Sequence, residues 1–120
     1  MKILVCEDDF MITKAIEHKL ISEGHEVDVA SDGNEAMTRI SKTNYDLIMT
    51  DLLMPFVGGL ELINTVRNEL HLGTPIIVLS TLSNEDSIIE AFKLGADDYI
   101  TKPFSPNEVS IRVKRLLIRR

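Results

Sequence analysis

Asp51 stands between two apolar triplets, Leu47-Ile48-Met49 and Leu52-Leu53-Met54. A carboxylate among so many apolar neighbours costs free energy unless something compensates it. Other apolar runs end the same way: Glu7, Asp8 and Asp9 follow residues 3–6, Ser80 and Thr81 follow residues 75–79, and Lys102, with Pro103 after it, follows residues 99–101. If Glu7, Asp8 and Asp51 converge, two carboxylates ~4 Å apart repel by about 4 kcal/mol at an effective dielectric near 20, so one keeps a proton or a cation sits between them. A set of oxygen ligands selects a hard cation. Mg²⁺ fits best, since it keeps several waters and accepts one or two carboxylates together with phosphate oxygens. Lys102 and the Ser80 hydroxyl then complete a receptor for a phosphoryl group, with Asp51 as the carboxylate nucleophile.

Alternating strands and helices supply the frame for such a convergence. Five short apolar runs, at residues 3–6, 27–30, 47–49, 75–79 and 99–101, each precede a stretch with helical periodicity. The first helix presents Ile12, Ala15, Ile16, Lys19 and Leu20, the second Ala36, Met37 and Ile40, the third Leu62, Ile63, Val66 and Leu70. The fourth presents Ile88, Ile89 and Phe92, and the fifth Val109, Val113, Leu116 and Leu117. Cap residues at 31–33 and 83–86 begin helices two and four, the capping-box sequence Ser105-Pro106-Asn107-Glu108 begins helix five, and Asp9 caps helix one. Gly24, Gly73 and Gly95 are expected to end helices one, three and four. The fold class is therefore α/β, a (βα)₅ doubly wound parallel sheet. Its three most apolar strands are central and the second and fifth are the edges, which is the flavodoxin-like order 2-1-3-4-5. Its crevice lies between the carboxyl ends of strands one and three.

Composition bounds the partners. The chain has 120 residues, 44% hydrophobic and 27% charged, and reads as one soluble domain expected in the cytoplasm without a membrane-spanning segment. All 19 acids precede residue 112 with 8 of the 13 basic residues, a balance of −11. Arg112, Lys114, Arg115, Arg119 and Arg120 follow as +5. So acidic a body argues against direct binding of nucleic acid. Cys6 reads as a small buried hydrophobe, and His18, His25 and His71, which lack metal-ligand spacing, as surface or helix-end residues.

The sequence resembles the receiver domain of two-component response regulators along its whole length. The resemblance is carried by residues 3–9, by Asp51-Leu52-Leu53-Met54-Pro55 with Gly59 eight residues past the aspartate, by residues 75–81, and by Gly95-Ala96-Asp97-Asp98-Tyr99-Ile100-Thr101-Lys102-Pro103-Phe104. It implies that Asp51 accepts a phosphoryl group from a sensor histidine kinase, that Asp8 binds Mg²⁺ directly with Glu7 helping through water, and that the Leu53 backbone carbonyl is a further ligand. It also implies that Ser80 is the switch hydroxyl, that Lys102 contacts the phosphoryl group, and that the rotamer of Tyr99 follows Ser80. Such a domain is a phosphoacceptor switch rather than an enzyme in the usual sense.

Within that family the chain is most similar to receivers that carry a winged-helix DNA-binding domain and dimerise through the fourth helix, fifth strand and fifth helix. Asp98 and Arg112 match one intermolecular salt bridge of that class and Glu108 half of another. Ile88 stands where a basic partner for Glu108 is usual, and Lys93 where an acid would face Lys114. A homodimer through this face therefore has to replace an ion pair by apolar contact at Ile88. The ending at residues 113–120 resembles the start of a linker, so the chain is read as truncated before a C-terminal effector domain, and contact with DNA would belong to that domain. Leu53 and Leu82 flank the route of an attacking water, from which slow autodephosphorylation is expected. Thr81 stands where the family more often has Ala. A Mg²⁺-dependent phosphatase of the haloacid dehalogenase kind would need an acid at position 53, and a nucleotide-binding domain would need a glycine-rich phosphate loop; the sequence has neither.

Overall fold

A computed structural model describes residues 1–81 and 85–118. Five parallel strands, β1 (Lys2–Cys6), β2 (Glu26–Ala30), β3 (Leu47–Asp51), β4 (Ile76–Ser80) and β5 (Asp98–Thr101), lie in the order β2-β1-β3-β4-β5. They alternate with the helices α1 (Phe10–Ser22), α2 (Gly33–Lys42), α3 (Gly59–Asn64), α4 (Glu85–Leu94) and α5 (Pro106–Ile118). Successive strand residues point to opposite faces, so each central strand feeds two cores. Ile3, Val5, Leu47, Met49, Ile77 and Leu79 pack with Ile16, Leu20, Val109, Val113 and Leu116 under α1 and α5. Leu4, Cys6, Ile48, Ile76 and Val78 pack with Ala36, Ile40, Leu62, Ile63, Val66, Ile88 and Ala91 under α2, α3 and α4. That double burial is why β1, β3 and β4 read as unbroken apolar runs. Among the described residues, no helix is long and apolar enough to cross a membrane.

The caps agree with the sequence. Asp9 accepts hydrogen bonds from the Met11 and Ile12 amides at the start of α1, Asp32 from Glu35 at the start of α2, and the Ser105 hydroxyl from Glu108 at the start of α5. Gly24 and Gly95 end α1 and α4 with φ of 91° and 119°. Of the cap expected at residues 83–86, Ser83 and Asn84 lie outside the described residues. Cys6 is fully buried, which pushes its thiol far above the ordinary range.

The third helix departs from expectation. A π-helical turn, Thr65–Glu69, follows α3, and its closing bond runs from the Leu70 amide to the Thr65 carbonyl (2.8 Å). The wider turn shifts the helical phase by one residue. Val66 is buried as expected, but Leu70 is 40% exposed. Termination is not at Gly73 either, because His71 already takes the left-handed conformation (φ 53°). In α1 the inward position between Ile12 and Ile16 belongs to Thr13, and Ala15 is exposed. Thr13 is drawn inward by a polar contact, its hydroxyl donating to the Glu7 carbonyl (3.3 Å). On α4, Ile88 and Ala91 are buried, whereas Ile89 and Phe92 are 48% and 42% exposed.

Two glycines set the loop after β3. The Gly59 amide donates to the Leu52 carbonyl (2.9 Å), and a Cβ on Gly59 would overlap the Asp51 carbonyl and lie 2.8 Å from Leu52 Cα. The Gly33 amide donates to the Pro55 carbonyl (3.1 Å), and a Cβ there would overlap the Val57 backbone. The first turn of α2 is thereby seated against the loop that leaves Asp51. Because the overlaps are with backbone atoms, Gly59→Ala is expected to cost about 2 kcal/mol of stability. Chemical denaturation checks this, with a fall in midpoint at unchanged denaturant slope as the expected result.

Candidate functional site

Each polar residue that closes an apolar run in the sequence lies at the carboxyl edge of the sheet. Glu7 and Asp8 follow β1, Asp51 ends β3, Ser80 ends β4, and Lys102 follows β5. The register pairs Cys6 with Thr50, Asp51 with Leu79, and Ser80 with Thr101, so these strand ends are level. The structure brings Glu7, Asp8, Asp51 and Lys102 together. The Lys102 ammonium lies 2.6 Å from Glu7 Oε1 and 2.8 Å from Asp51 Oδ2. The remaining oxygens are held by backbone: Glu7 Oε2 accepts from the Asp9 amide (3.1 Å) and Asp51 Oδ1 from the Leu53 amide (3.2 Å). Glu7 is 1% exposed and Asp51 8%, whereas Asp8 is exposed.

Burial raises the Glu7 carboxyl from its ordinary 4.5 to about 7, against the downward pull of the Lys102 and Asp9 hydrogen bonds. Burial pulls the Lys102 ammonium down, but its hydrogen bonds to Asp51 and Glu7 outweigh that, and its pKa is raised. With Glu7 ionised, three carboxylates against one ammonium leave a surplus of two negative charges. Glu7, Asp8 and Asp51 each offer an oxygen within 4.8 Å of the others. An all-oxygen set with two buried members and one exposed member, which leaves room for water, fits a hard divalent cation such as Mg²⁺.

Ser80 is 2% exposed and its hydroxyl donates to the Thr81 carbonyl (3.3 Å), while its own carbonyl accepts from the Lys102 amide (2.6 Å). Ser80 and Lys102 are thus tied through backbone as well as by position. Leu53 projects its side chain outward, 67% exposed. Leu82 lies outside the described residues. Phe56, in the loop after Asp51, is 78% exposed and has a φ of 70°, a conformation that bulky side chains rarely adopt.

Tyr99 lies away from this cluster, on the α4 side of edge strand β5. It is 36% exposed, with its ring edge-on to Phe92 of α4 at 5.9 Å between centroids. Next to it the Asp98 carboxylate is 6% exposed and gathers Arg112 Nη1 (3.0 and 3.1 Å), Arg115 Nη2 (2.6 Å) and the Tyr99 amide (2.8 Å). Glu108 pairs with Arg112 one helical turn away (3.3 Å). The residues expected to bridge two chains are therefore partnered within one chain, and Arg115 joins them. Ile88 is 8% exposed and packs into the core, so the exposed apolar surface beside it belongs to Ile89, Phe92 and Tyr99.

Residues 3–114 match the family model of the response regulator receiver domain. The chain is 42% identical over 118 residues to the transcriptional regulatory protein ResD of Bacillus subtilis and 41% identical to the transcriptional regulatory protein SrrA of Staphylococcus aureus, covering 98% of this chain and 48% of each relative. The chain thus spans about half the length of these relatives. Among solved structures it is similar to the receiver domain of the Francisella response regulator 1452 (TM-score 0.90, 42% identity, 98% of this chain and 97% of that one). It is also similar to the chemotaxis response regulator CheY4 of Vibrio cholerae (TM-score 0.89, 32% identity, 96% and 97%).

The buried Glu7 has a measurable consequence in metal-free protein. Its folded pKa lies above its unfolded one, so its contribution to stability is complete below pH 4.5 and is lost as the pH rises through about 7. Glu7→Gln removes that component, so the stability of the variant relative to the parent is expected to rise by roughly 2 to 3 kcal/mol over this window. Denaturation in a chelating buffer across the window checks it; a constant difference would contradict it.

Proposed function

The chain belongs to the response regulator receiver domain family, and from that membership we propose that it accepts a phosphoryl group on Asp51 from a sensor histidine kinase and relays the change to the face formed by α4, β5 and α5. The observation that carries the reading is the meeting of Asp51 with Lys102 at 2.8 Å beside the buried Glu7, in a crevice whose carboxylates outnumber its one ammonium. A carboxylate oxygen of Asp51 forms the bond to phosphorus as the bond from phosphorus to the donor's imidazole nitrogen breaks, and the electron pair leaves with that nitrogen. With acetyl phosphate as donor, the leaving group is acetate. Glu7, Asp8, Asp51 and the Leu53 carbonyl would hold Mg²⁺, which when bound neutralises charge on the phosphoryl oxygens. Lys102, held in place by two carboxylates, is positioned to pair with a phosphoryl oxygen. The Ser80 hydroxyl now bonds a backbone carbonyl at 3.3 Å, a weak bond that a charged phosphoryl acceptor displaces.

As Ser80 turns inward, Tyr99 turns from its exposed position beside Phe92 into the space vacated, which alters the surface of α4, β5 and α5. We propose that this surface then supports a homodimer. Because Asp98, Glu108 and Arg112 are paired within the chain, a dimer bridge would exchange existing bonds instead of satisfying free charges, so its apolar part, Ile89, Phe92 and Tyr99, would supply most of the affinity. The relatives are named transcriptional regulators, and control of transcription through a DNA-binding effector domain is the output proposed for the whole protein.

Intact-mass measurement after incubation with acetyl phosphate and Mg²⁺ tests the acceptor. A gain of one phosphoryl group that is absent from Asp51→Asn and from a sample without Mg²⁺ is expected, and a gain that persists in Asp51→Asn would contradict the assignment. We propose that the Leu53 side chain, two residues past Asp51, limits the approach of water to the acyl phosphate. Leu53→Asn is therefore expected to shorten its lifetime several-fold in the same assay, and an unchanged decay rate would remove the shielding role.

A further inference from the structure

Arg67 is a charged residue turned inward. It sits in the π-helical turn after α3 with its side chain 18% exposed, and its guanidinium uses all three nitrogens. Nε donates to the Gly95 carbonyl (3.1 Å), Nη1 to the Leu72 carbonyl (2.8 Å) and Nη2 to Asp97 Oδ2 (2.9 Å). Asp97 Oδ2 also accepts from the Ile76 amide at the start of β4 (2.8 Å), and the Asp97 amide donates back to the Ile76 carbonyl (2.9 Å). One planar group thus joins the end of the π turn, the first residue of β4, the last turn of α4 and the connection to β5. A lysine, with a single point charge, could not span these acceptors. Gly95 is shaped to the contact, since its φ is 119° and a Cβ there would lie 2.9 Å from Arg67 Cγ and 3.0 Å from Nε.

The position of this clamp along α4 matters. Ile76 and Asp98 begin their strands, so Arg67 grips α4 at the amino edge of the sheet, and the other end of α4 lies toward Ser80 and Thr81 at the carboxyl edge. Between these ends α4 buries only Ile88 and Ala91. A helix with so narrow a buried face is weakly held except where it is clamped. Phe92, against which the Tyr99 ring packs, lies between the clamp and the N-terminal end of α4.

We propose that Arg67 is a positioning residue for the switch. It fixes the C-terminal end of α4 and the α4–β5 connection, so that a change at Ser80 is taken up by the N-terminal part of α4 and by Tyr99. This rests on the reading of Asp51 as the phosphoacceptor, and it adds a pivot on the side of the sheet remote from that residue.

Hydrogen exchange by mass spectrometry, with and without beryllofluoride and Mg²⁺ as a phosphoryl mimic, tests it in the parent, Arg67→Met and Asp97→Asn. In the parent the response is expected within residues 85–90 and at β5, with residues 91–97 unchanged. In Arg67→Met the response extends through residues 91–97, where exchange becomes about tenfold faster for the loss of a charge-assisted bond. Its mass gain with acetyl phosphate stays within about twofold of the parent, because the two sites share no partner. Asp97→Asn keeps an acceptor for the Ile76 amide but weakens the pair with Arg67; an intermediate extension is expected, and this variant carries the comparison if Arg67→Met does not fold. A response confined to residues 85–90 in both variants, or one that already includes residues 91–97 in the parent, overturns the pivot while leaving the acceptor intact. A parent that gains no mass from acetyl phosphate overturns the acceptor and the pivot together.

Discussion

Charge balance around the Lys102 ammonium is the constraint on which the rest of the structure depends. Glu7 and Asp51 each touch this group, at 2.6 and 2.8 Å, and both are buried. Without it their mutual repulsion would be unrelieved in a site sheltered from water. Yet Lys102 follows β5, two strands away from β3 in the sheet, so the ammonium must reach across the end of β4 to meet Asp51. The bond between the Lys102 amide and the Ser80 carbonyl secures that path, and it places the hydroxyl-bearing residue of β4 next to the bridge. One ammonium offsets only part of the charge of three carboxylates. The site therefore keeps a negative surplus of the kind that a divalent cation would offset.

Packing serves that arrangement. Every central strand is buried on both faces, which leaves the carboxyl edge as the place where polar groups meet water. Two glycines hold the loop after Asp51 by close approach of backbone, Gly59 against Asp51 and Leu52, and Gly33 from the first turn of α2 against Val57. On the same face of the sheet, α4 has a narrow buried face and a guanidinium clamp at its C-terminal end. The proposed switch needs an element with two accessible arrangements that a local change can bias, and α4, with its narrow buried face, is the candidate.

Most of this was legible in the sequence because it depends on local pattern. Period-two burial in strands, helical periodicity, the caps at Asp9, Asp32 and Ser105, and polar residues closing apolar runs sufficed for the element order and for the meeting of Glu7, Asp8, Asp51 and Lys102. What escaped depends on contacts distant in sequence. A π turn leaves the apolar spacing of residues 62–70 unchanged, so nothing in that spacing moved Leu70 outward. Thr13 displaced Ala15 from the inner face of α1 because its hydroxyl bonds the Glu7 carbonyl. Ile88 and Ile89 are adjacent and equally apolar, and only the seating of α4 decides which is buried. Likewise, two arginines share Asp98 because α5 lies over β5, which spacing alone does not reveal.

The central claim, that the carboxylate bridged by Lys102 is the phosphoacceptor, is tested most directly by chemical trapping of the acyl phosphate. Borohydride reduces such an anhydride to the alcohol, so protein treated with acetyl phosphate and Mg²⁺ and then reduced should yield, on peptide mapping, homoserine at position 51 and aspartate at positions 8 and 9. Reduction at position 8 or 9, or at Glu7, with position 51 intact, would contradict the account.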